Sequence, residues 1–326
     1  MTSMRAAVLT TPGEPPDHAE HPAPEAAPGR TVVRMTAAPI VPLDLLCASG
    51  TSYFGRPATP YVPGTQGVGV VERSATWPGG TRVFVVTTAG MAPGDGSLAE
   101  LSAVPDEAVV PLPDGVADED AAALGMSAVA AWMALTDRAR LTAGETVVVT
   151  GAGGAVGQVA VAAAQLLGAG RVVGVCRSAA AEERARSAGA DEVVRLDADA
   201  DRLTDRLTEV VGGDVDVVVD PVFGVAATAA SRVLAPFGRL VNLGGAGGDV
   251  AEFSSAGLRS RTASVLGYTN AMLTPEQQRA ALDAVFRHAA DGRLAVAHER
   301  VPLAGVGEAW RRQAAGDADV RLVLTP

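Results

Sequence analysis

The sequence predicts an α/β fold in which a doubly wound, six-stranded parallel sheet is inserted into a split, mostly β region. Three observations lead there. Six short apolar runs follow one another between residues 146 and 267, and Ala- and Arg-rich helical stretches separate the first five. The runs are continuously apolar rather than alternating, which marks strands covered on both faces. Outside them the chain is rich in Pro, Gly, Val and Thr and carries short alternating runs, the pattern of strands with one wet face.

In chain order, Thr31–Met35, Gly67–Glu72 and Thr81–Thr87 are predicted strands of the first region, which also carries a Pro/Ala-rich loop at residues 12–28. A helix is expected from Asp118 to Leu135. The six buried strands are then Thr146–Thr150, Arg171–Cys176, Glu192–Arg195, Val215–Asp220, Arg239–Leu243 and Ala263–Gly267. Thr274-Pro-Glu-Gln277 is a capping box with Pro at the first helical position; Leu282, Val285, Phe286 and Ala289 share the helix face behind it, and Gly292 ends it. Val320–Leu324 is the last strand. These elements divide the chain into a β domain of residues 1–122 and 268–326 and an inserted domain of residues 123–267.

Composition excludes several chemistries. All 26 basic residues are arginine, so no Schiff-base lysine, P-loop lysine or Tyr-x-x-x-Lys pair exists. A net charge of −11 without an arginine run argues against nucleic acid as a partner. Two cysteines, Cys47 and Cys176, cannot form a disulfide framework or a four-thiolate zinc site, so a reducing cytoplasm is the expected setting. The N-terminus shows no apolar signal region, and the uncharged residues 146–170 contain six glycines, which makes them strand, turn and buried helix rather than a membrane span.

The strand at Val147–Thr150 runs directly into Gly151-Ala-Gly-Gly-Ala-Val-Gly157 and an apolar helix. Within it, Ala152-x-Gly154-x-x-Gly157 is a dinucleotide fingerprint with Ala in the first position. Small residues allow the tight turn and close backbone approach to a pyrophosphate, which the helix N-terminus favours. The next strand ends in Cys176-Arg177-Ser178 and meets no carboxylate until Glu182. A guanidinium and a hydroxyl suit a 2′-phosphate, so NADPH is expected over NADH. Asn242, Leu243 and Gly244 at the fifth strand's end, and Val222 after the fourth, are placed by their strand ends beside the nicotinamide half.

Several ordered motifs resemble the medium-chain dehydrogenase/reductase superfamily over nearly the whole chain, with the closer likeness to its zinc-free quinone oxidoreductase (zeta-crystallin-like) and enoyl reductase branch. They are Val41-Pro-Leu-Asp44 with Ser49-Gly-Thr-Ser-Tyr53, Val62-Pro-Gly-Thr-Gln-Gly-Val-Gly-Val-Val71, Gly96-Ser-Leu-Ala-Glu100, the fingerprint, Ser187-Ala-Gly-Ala-Asp191 and Phe237-Gly-Arg-Leu-Val-Asn-Leu-Gly244. The resemblance implies a GroES-like catalytic domain carrying an inserted Rossmann domain. It also implies loss of the zinc site, because Val41, Thr65 and Gln66 stand where zinc relatives carry Cys, His and Glu. None of the four histidines lies in a site-like motif. Without a Lewis acid, reduction of an already electron-poor acceptor is the natural chemistry.

The resemblance therefore implies an NADPH-dependent reductase of a quinone or another conjugated carbonyl. An enoyl-thioester or enone reductase of a biosynthetic pathway is the alternative, and a non-catalytic NADPH-binding sensor or structural protein is the second. Tyr53 is the implied proton donor or polar anchor. Asp44 matches the family's aspartate, although Asp44-Leu-Leu-Cys also reads as an N-cap with a short helix behind it. Val41, Tyr61, Thr65, Gln66 and Ala130 complete the expected substrate pocket, with Val41 and Ala130 more apolar than the Asn and Thr of many relatives. The expected partners are a small-molecule acceptor and a second copy of the chain, paired through the sixth strand at Val265 and Leu266; no membrane is expected.

Overall fold

The computed structural model describes residues 2–52 and 54–326. They form two compact units, Met1–Gly125 with Val296–Pro326 and Met126–Ala295. The first contains β1 (Ser3–Val8), β2 (Asp17–Pro22), β3 (Arg30–Pro39), α1 (Pro42–Ser49), β4 (Gln66–Arg73), β5 (Arg82–Val86), β6 (Leu101–Pro105) and β7 (Val109–Pro111). The division falls inside α2 (Asp118–Met133), at Gly125, whose φ of 38° and ψ of −140° break the helix. The expected helix to Leu135 thus starts where predicted, but is interrupted and ends in a π-turn, Ala134–Arg138.

The second unit alternates strand and helix: β8 (Thr146–Thr150), α3 (Ala155–Leu166), β9 (Arg171–Cys176), α4 (Ala179–Ser187), β10 (Glu192–Arg195), α5 (Ala200–Val211), β11 (Val215–Asp220), α6 (Gly224–Arg232), β12 (Leu234–Asn242), α7 (Ser255–Arg261), β13 (Ser264–Gly267) and α8 (Pro275–Ala290). The chain then returns to the first unit through β14 (His298–Pro302), α9 (Val306–Ala315) and β15 (Arg321–Thr325).

Six strands of the second unit lie in the order β10-β9-β8-β11-β12-β13, and every pair is parallel. This is the doubly wound arrangement expected, with the order reversing between β8 and β11. Its core follows from the apolar runs: Val148, Val173, Val175 and Val218 pack with Leu203 and Leu207 of α5. Helix α5 presents Leu203, Leu207 and Val211 at four-residue spacing, and full burial of each is worth about 2 kcal/mol. Asp199 caps it by accepting from the Asp201 and Arg202 amides, and left-handed Gly212 ends it.

Two boundaries differ from the sequence reading. Strand β12 begins at Leu234 rather than Arg239: Pro236 and Gly238 interrupt the apolar run, and a register shift and a left-handed Phe237 (φ 63°) lie inside the strand. The compact units divide after Gly125 and Ala295 rather than after residues 122 and 267, so α8 falls in the second unit. There the Trp132 and His288 rings meet at 5.3 Å, and Asn270 Nδ2 donates to the Met126 carbonyl at 2.9 Å.

In the first unit, a seven-stranded sheet runs β14-β15-β3-β4-β5-β7, with β6 pairing antiparallel to the first half of β3. It is antiparallel except for the β14–β15 pair. The crossing of β15 onto β3 matters most, since it brings Arg321, at the chain's far end, to the Ile40 carbonyl just before α1.

Candidate functional site

The glycine loop occupies the carboxyl end of β8. Ala152 is fully buried and its amide donates to the Val175 carbonyl at 3.1 Å, tying the loop to β9. Gly153 is buried and Gly154 exposed; Ala155 and Val156 are half-buried and Gly157 buried. A Cβ at Gly157 would overlap the Gly151 carbonyl, so only glycine lets α3 approach the turn. The N-cap of α3 is Gly154 and no side chain caps this twelve-residue helix. Its first amides and positive dipole end are therefore available to an anion, as a pyrophosphate requires. The loop geometry fits a dinucleotide.

Just past the carboxyl end of β9, Arg177 is exposed, and Ser178 caps α4 by accepting the Ala181 amide at 3.2 Å. Two further arginines, absent from the sequence reading, stand there. Arg184 Nε donates to the Gly153 carbonyl at 2.9 Å. Arg195, in register with Cys176 on the neighbouring strand, pairs with Glu182 at 2.5 Å and donates to the Arg177 carbonyl at 3.4 Å. The signal for Arg195 was its place at the end of the third strand. Its ion pair occupies the Glu182 carboxylate.

At the other end, Val222, Asn242, Leu243 and Gly244 are all half-buried. Asn242 Nδ2 donates to the Gly244 carbonyl at 2.8 Å, and the Leu243 amide donates to the Asp220 carbonyl at 2.8 Å. Sequence reasoning missed Asp220 and Thr150, which are fully buried and joined by a 2.5 Å hydrogen bond from Thr150 Oγ1 to Asp220 Oδ1.

In the first unit Asp44 is 1% exposed. It is the third residue of α1 rather than its N-cap: the cap position is Val41, whose amide donates to Asp44 Oδ2 at 2.8 Å. The reading failed because Pro42 opens the helix two residues earlier. Asp44 Oδ1 accepts the Thr65 amide at 2.8 Å. Burial pushes the carboxyl up to about 6, while those donors and the Arg321 charge pull the other way. Burial in turn pushes Arg321 down to about 10, opposed by Asp44.

Three expected pocket residues thus converge on this carboxylate or beside it: Val41, Thr65 and buried Gln66, whose Nε2 lies 3.5 Å from the Ala122 carbonyl. Tyr61 is 5% exposed, with its hydroxyl lacking a hydrogen-bond partner among the described residues. Burial raises its pKa, and Cys47 and Asp44 raise it further. Cys47 itself is pushed up to about 11 by burial and then by Asp44, which makes it a packed thiol rather than a nucleophile. Ala130 lies on α2 in the second unit, half-buried. Tyr53 lies outside the described residues. Among the described residues no cluster of three or more His, Cys, Asp or Glu is placed to hold a metal ion, and no helix is long and apolar enough to cross a membrane.

Comparison with known proteins falls on both units. Residues 27–114 match the family described as alcohol dehydrogenase GroES-like domain, and residues 155–287 match that described as zinc-binding dehydrogenase. The chain is 32% identical over 305 residues, 90% of its length, to a phenolphthiocerol/phthiocerol polyketide synthase of Mycobacterium tuberculosis. It spans only 13% of that much longer protein. It is 27% identical to the quinone oxidoreductase of Homo sapiens, covering 76% of this chain and 74% of that protein. The structure of mycobacterial Rv1454c complexed with NADPH superposes with a TM-score of 0.86 at 26% identity, covering 99% of this chain and 100% of that one.

Proposed function

We infer the chemistry of this chain from its kinship: it belongs to the medium-chain dehydrogenase/reductase superfamily, in the quinone oxidoreductase-like family. It is an oxidoreductase that takes NADPH and reduces a quinone or another electron-poor conjugated carbonyl without zinc. The observation that carries this reading is the uncapped N-terminus of α3 behind the glycine loop, with Arg177 exposed at the loop's adenosine side. Human quinone oxidoreductase and the NADPH complex of Rv1454c support it from outside the chain.

Bound NADPH supplies a hydride to the acceptor's electron-poor carbon or ring. This chain's own residues do the rest. The first turn of α3 holds the pyrophosphate, and Arg177 with the Ser178 hydroxyl holds the 2′-phosphate. Val222, Asn242, Leu243 and Gly244 shape the nicotinamide end. Asp44 engages two backbone amides with its two oxygens, so it positions Val41 and Thr65 rather than touching the acceptor. Tyr53 is kept, on its sequence context, as the donor of the proton or hydrogen bond that the reduced acceptor needs. With Val41, Thr65 and Gln66 in place of Cys, His and Glu, the walls offer shape and neutral hydrogen bonds where zinc relatives offer ligands.

A second reading, reduction of an enoyl thioester or enone, is favoured by the 32% identity to a polyketide synthase segment and by apolar Val41. The test is NADPH consumption with a bulky ortho-quinone and an α,β-unsaturated thioester side by side, and NADH as control. Quinone turnover with NADPH supports the first reading. Thioester turnover alone moves the chain to the second. Tight NADPH binding with neither turnover leaves the choice between an acceptor outside these two classes and a non-catalytic binder. A homodimer in a reducing cytoplasm is part of the same proposal, with Cys47 and Cys176 as buried free thiols.

A further inference from the structure

We propose that Asp220 is a positioning residue for the dinucleotide, a hub that sets three strand ends in register at the reversal of the strand order. The inference rests on the NADPH reading above. Strands β8 and β11 are neighbours across that reversal, and ligands of such sheets bind in the crevice outside the strands' carboxyl ends there. Thr150 is the last residue of β8 and Asp220 the last of β11. Their 2.5 Å hydrogen bond therefore spans the reversal point directly beneath the glycine loop.

The same carboxylate oxygen accepts the amides of Val222 at 3.1 Å and Phe223 at 2.9 Å. The backbone carbonyl of Asp220 accepts from the Leu243 amide at 2.8 Å and from Asn242 Nδ2 at 3.3 Å. One residue thus ties the end of β8, the turn after β11 and the end of β12. The turn it holds is strained: Phe223 has φ 61° and ψ −155°, a region that residues with a side chain avoid. It also closes tightly on the loop, since a Cβ at Gly151 would lie 2.8 Å from Val222 Cγ2. Strain of this kind persists only where the surroundings over-determine it, and the shared oxygen does so.

Ordinary turn-capping does not account for the arrangement. Asp220 is fully buried, and its second carboxylate oxygen has no partner among the described residues. A buried acid with an idle oxygen is costly where a smaller cap would close the turn. Three hydrogen bonds meet on Oδ1, and stiffness between glycine loop and nicotinamide-side turn is what a dinucleotide spanning both needs.

The test compares Thr150→Val, Thr150→Ser, Asp220→Asn and Asp220→Ala, with Leu207→Ala in the α5 core as a purely destabilised control. NADPH affinity is read by fluorescence titration, KM and kcat by turnover, and folding by melting temperature without cofactor. Thr150→Val is expected to raise the NADPH dissociation constant and KM about tenfold, as loss of one buried hydrogen bond does, with the acceptor KM unchanged. Thr150→Ser restores the wild-type value, and Asp220→Asn falls between wild type and Asp220→Ala. Wild-type NADPH affinity in both Thr150→Val and Asp220→Asn overturns the hub. So does an equal affinity loss in Leu207→Ala at the same melting temperature. If the unmodified chain fails to bind NADPH in the same titration, the functional reading falls, and the hub's role with it.

Discussion

The Thr65 amide donates to Asp44 Oδ1 at 2.8 Å, so a residue of the first short helix fixes the residue that leads into β4, 21 positions later. The carboxyl's other oxygen holds the Val41 amide. Both bonds lie in an almost fully buried setting, where burial holds the acid up to about 6 against an ordinary value of 3.8.

Stability should therefore carry an Asp44 signature between about pH 4 and pH 6. In that window the unfolded chain has released the Asp44 proton and the folded chain still holds it. The folded state binds more protons, so this group's contribution falls as pH rises and levels off above 6. The loss is on the order of 3 kcal/mol. Carboxylates held below their ordinary values, such as hydrogen-bonded Glu299 and Asp199, act in the opposite direction, so the difference between wild type and Asp44→Asn isolates the effect. Denaturant melts across the window check it. Parallel pH curves for the two proteins would contradict the burial argument.

Gly125→Ala should be severely destabilising. Gly125 sits at φ 38°, and a Cβ there would overlap the buried Gln66 amide. Strained backbone costs roughly 1–3 kcal/mol before the clash is counted. Adding Gln66→Ala removes the clash and leaves the backbone term, so the double variant should melt above Gly125→Ala and below Gln66→Ala. A melting temperature for Gly125→Ala within a degree or so of wild type would refute the geometry.

Arg177→Ala should weaken NADPH about tenfold and leave NADH within about twofold, the selectivity expected from one guanidinium–phosphate contact. Arg195→Ala should act less directly. It frees Glu182, which is now paired at 2.5 Å, and adds a repelling carboxylate near the same phosphate. Cofactor KM values for both nucleotides with each variant test the pair. Equal losses for NADPH and NADH would remove Arg177 from the 2′-phosphate.

What the sequence made legible was whatever local pattern encodes. The Thr274/Gln277 capping box closes as predicted, with the Thr274 hydroxyl accepting the Gln277 amide at 3.2 Å. The strand–glycine loop–helix at 146–166 is also local, and five strand ranges of the inserted sheet were readable to within a residue. The remaining one, β12, was cut short because Pro236 and Gly238 break the apolar run ahead of Arg239. Illegible were partners brought together by topology. Arg321 reaches Ile40 across nearly the whole chain, and Thr150 meets Asp220 only because β8 and β11 are neighbours. No spacing rule pairs such residues, and a lone buried acid looks like any other Asp at a strand's end.

The outer edge of β13 supplies the last prediction. Strand β13 pairs with β12 on one side and ends the six-stranded order, and Val265 is 36% exposed on it. An outer strand edge beside an apolar residue invites a second strand. Pairing with the same edge of another copy closes the assembly by a two-fold axis, since each copy offers the other its only free edge at that end of the sheet. Light scattering behind size exclusion should therefore give twice 32.9 kDa for the wild type. Val265→Lys, which puts a charge where the edges meet, should return a monomer with its NADPH affinity intact, because β12 separates that edge from the crevice between β8 and β11. A wild-type monomer, or a Val265→Lys dimer, would place the edge outside any interface.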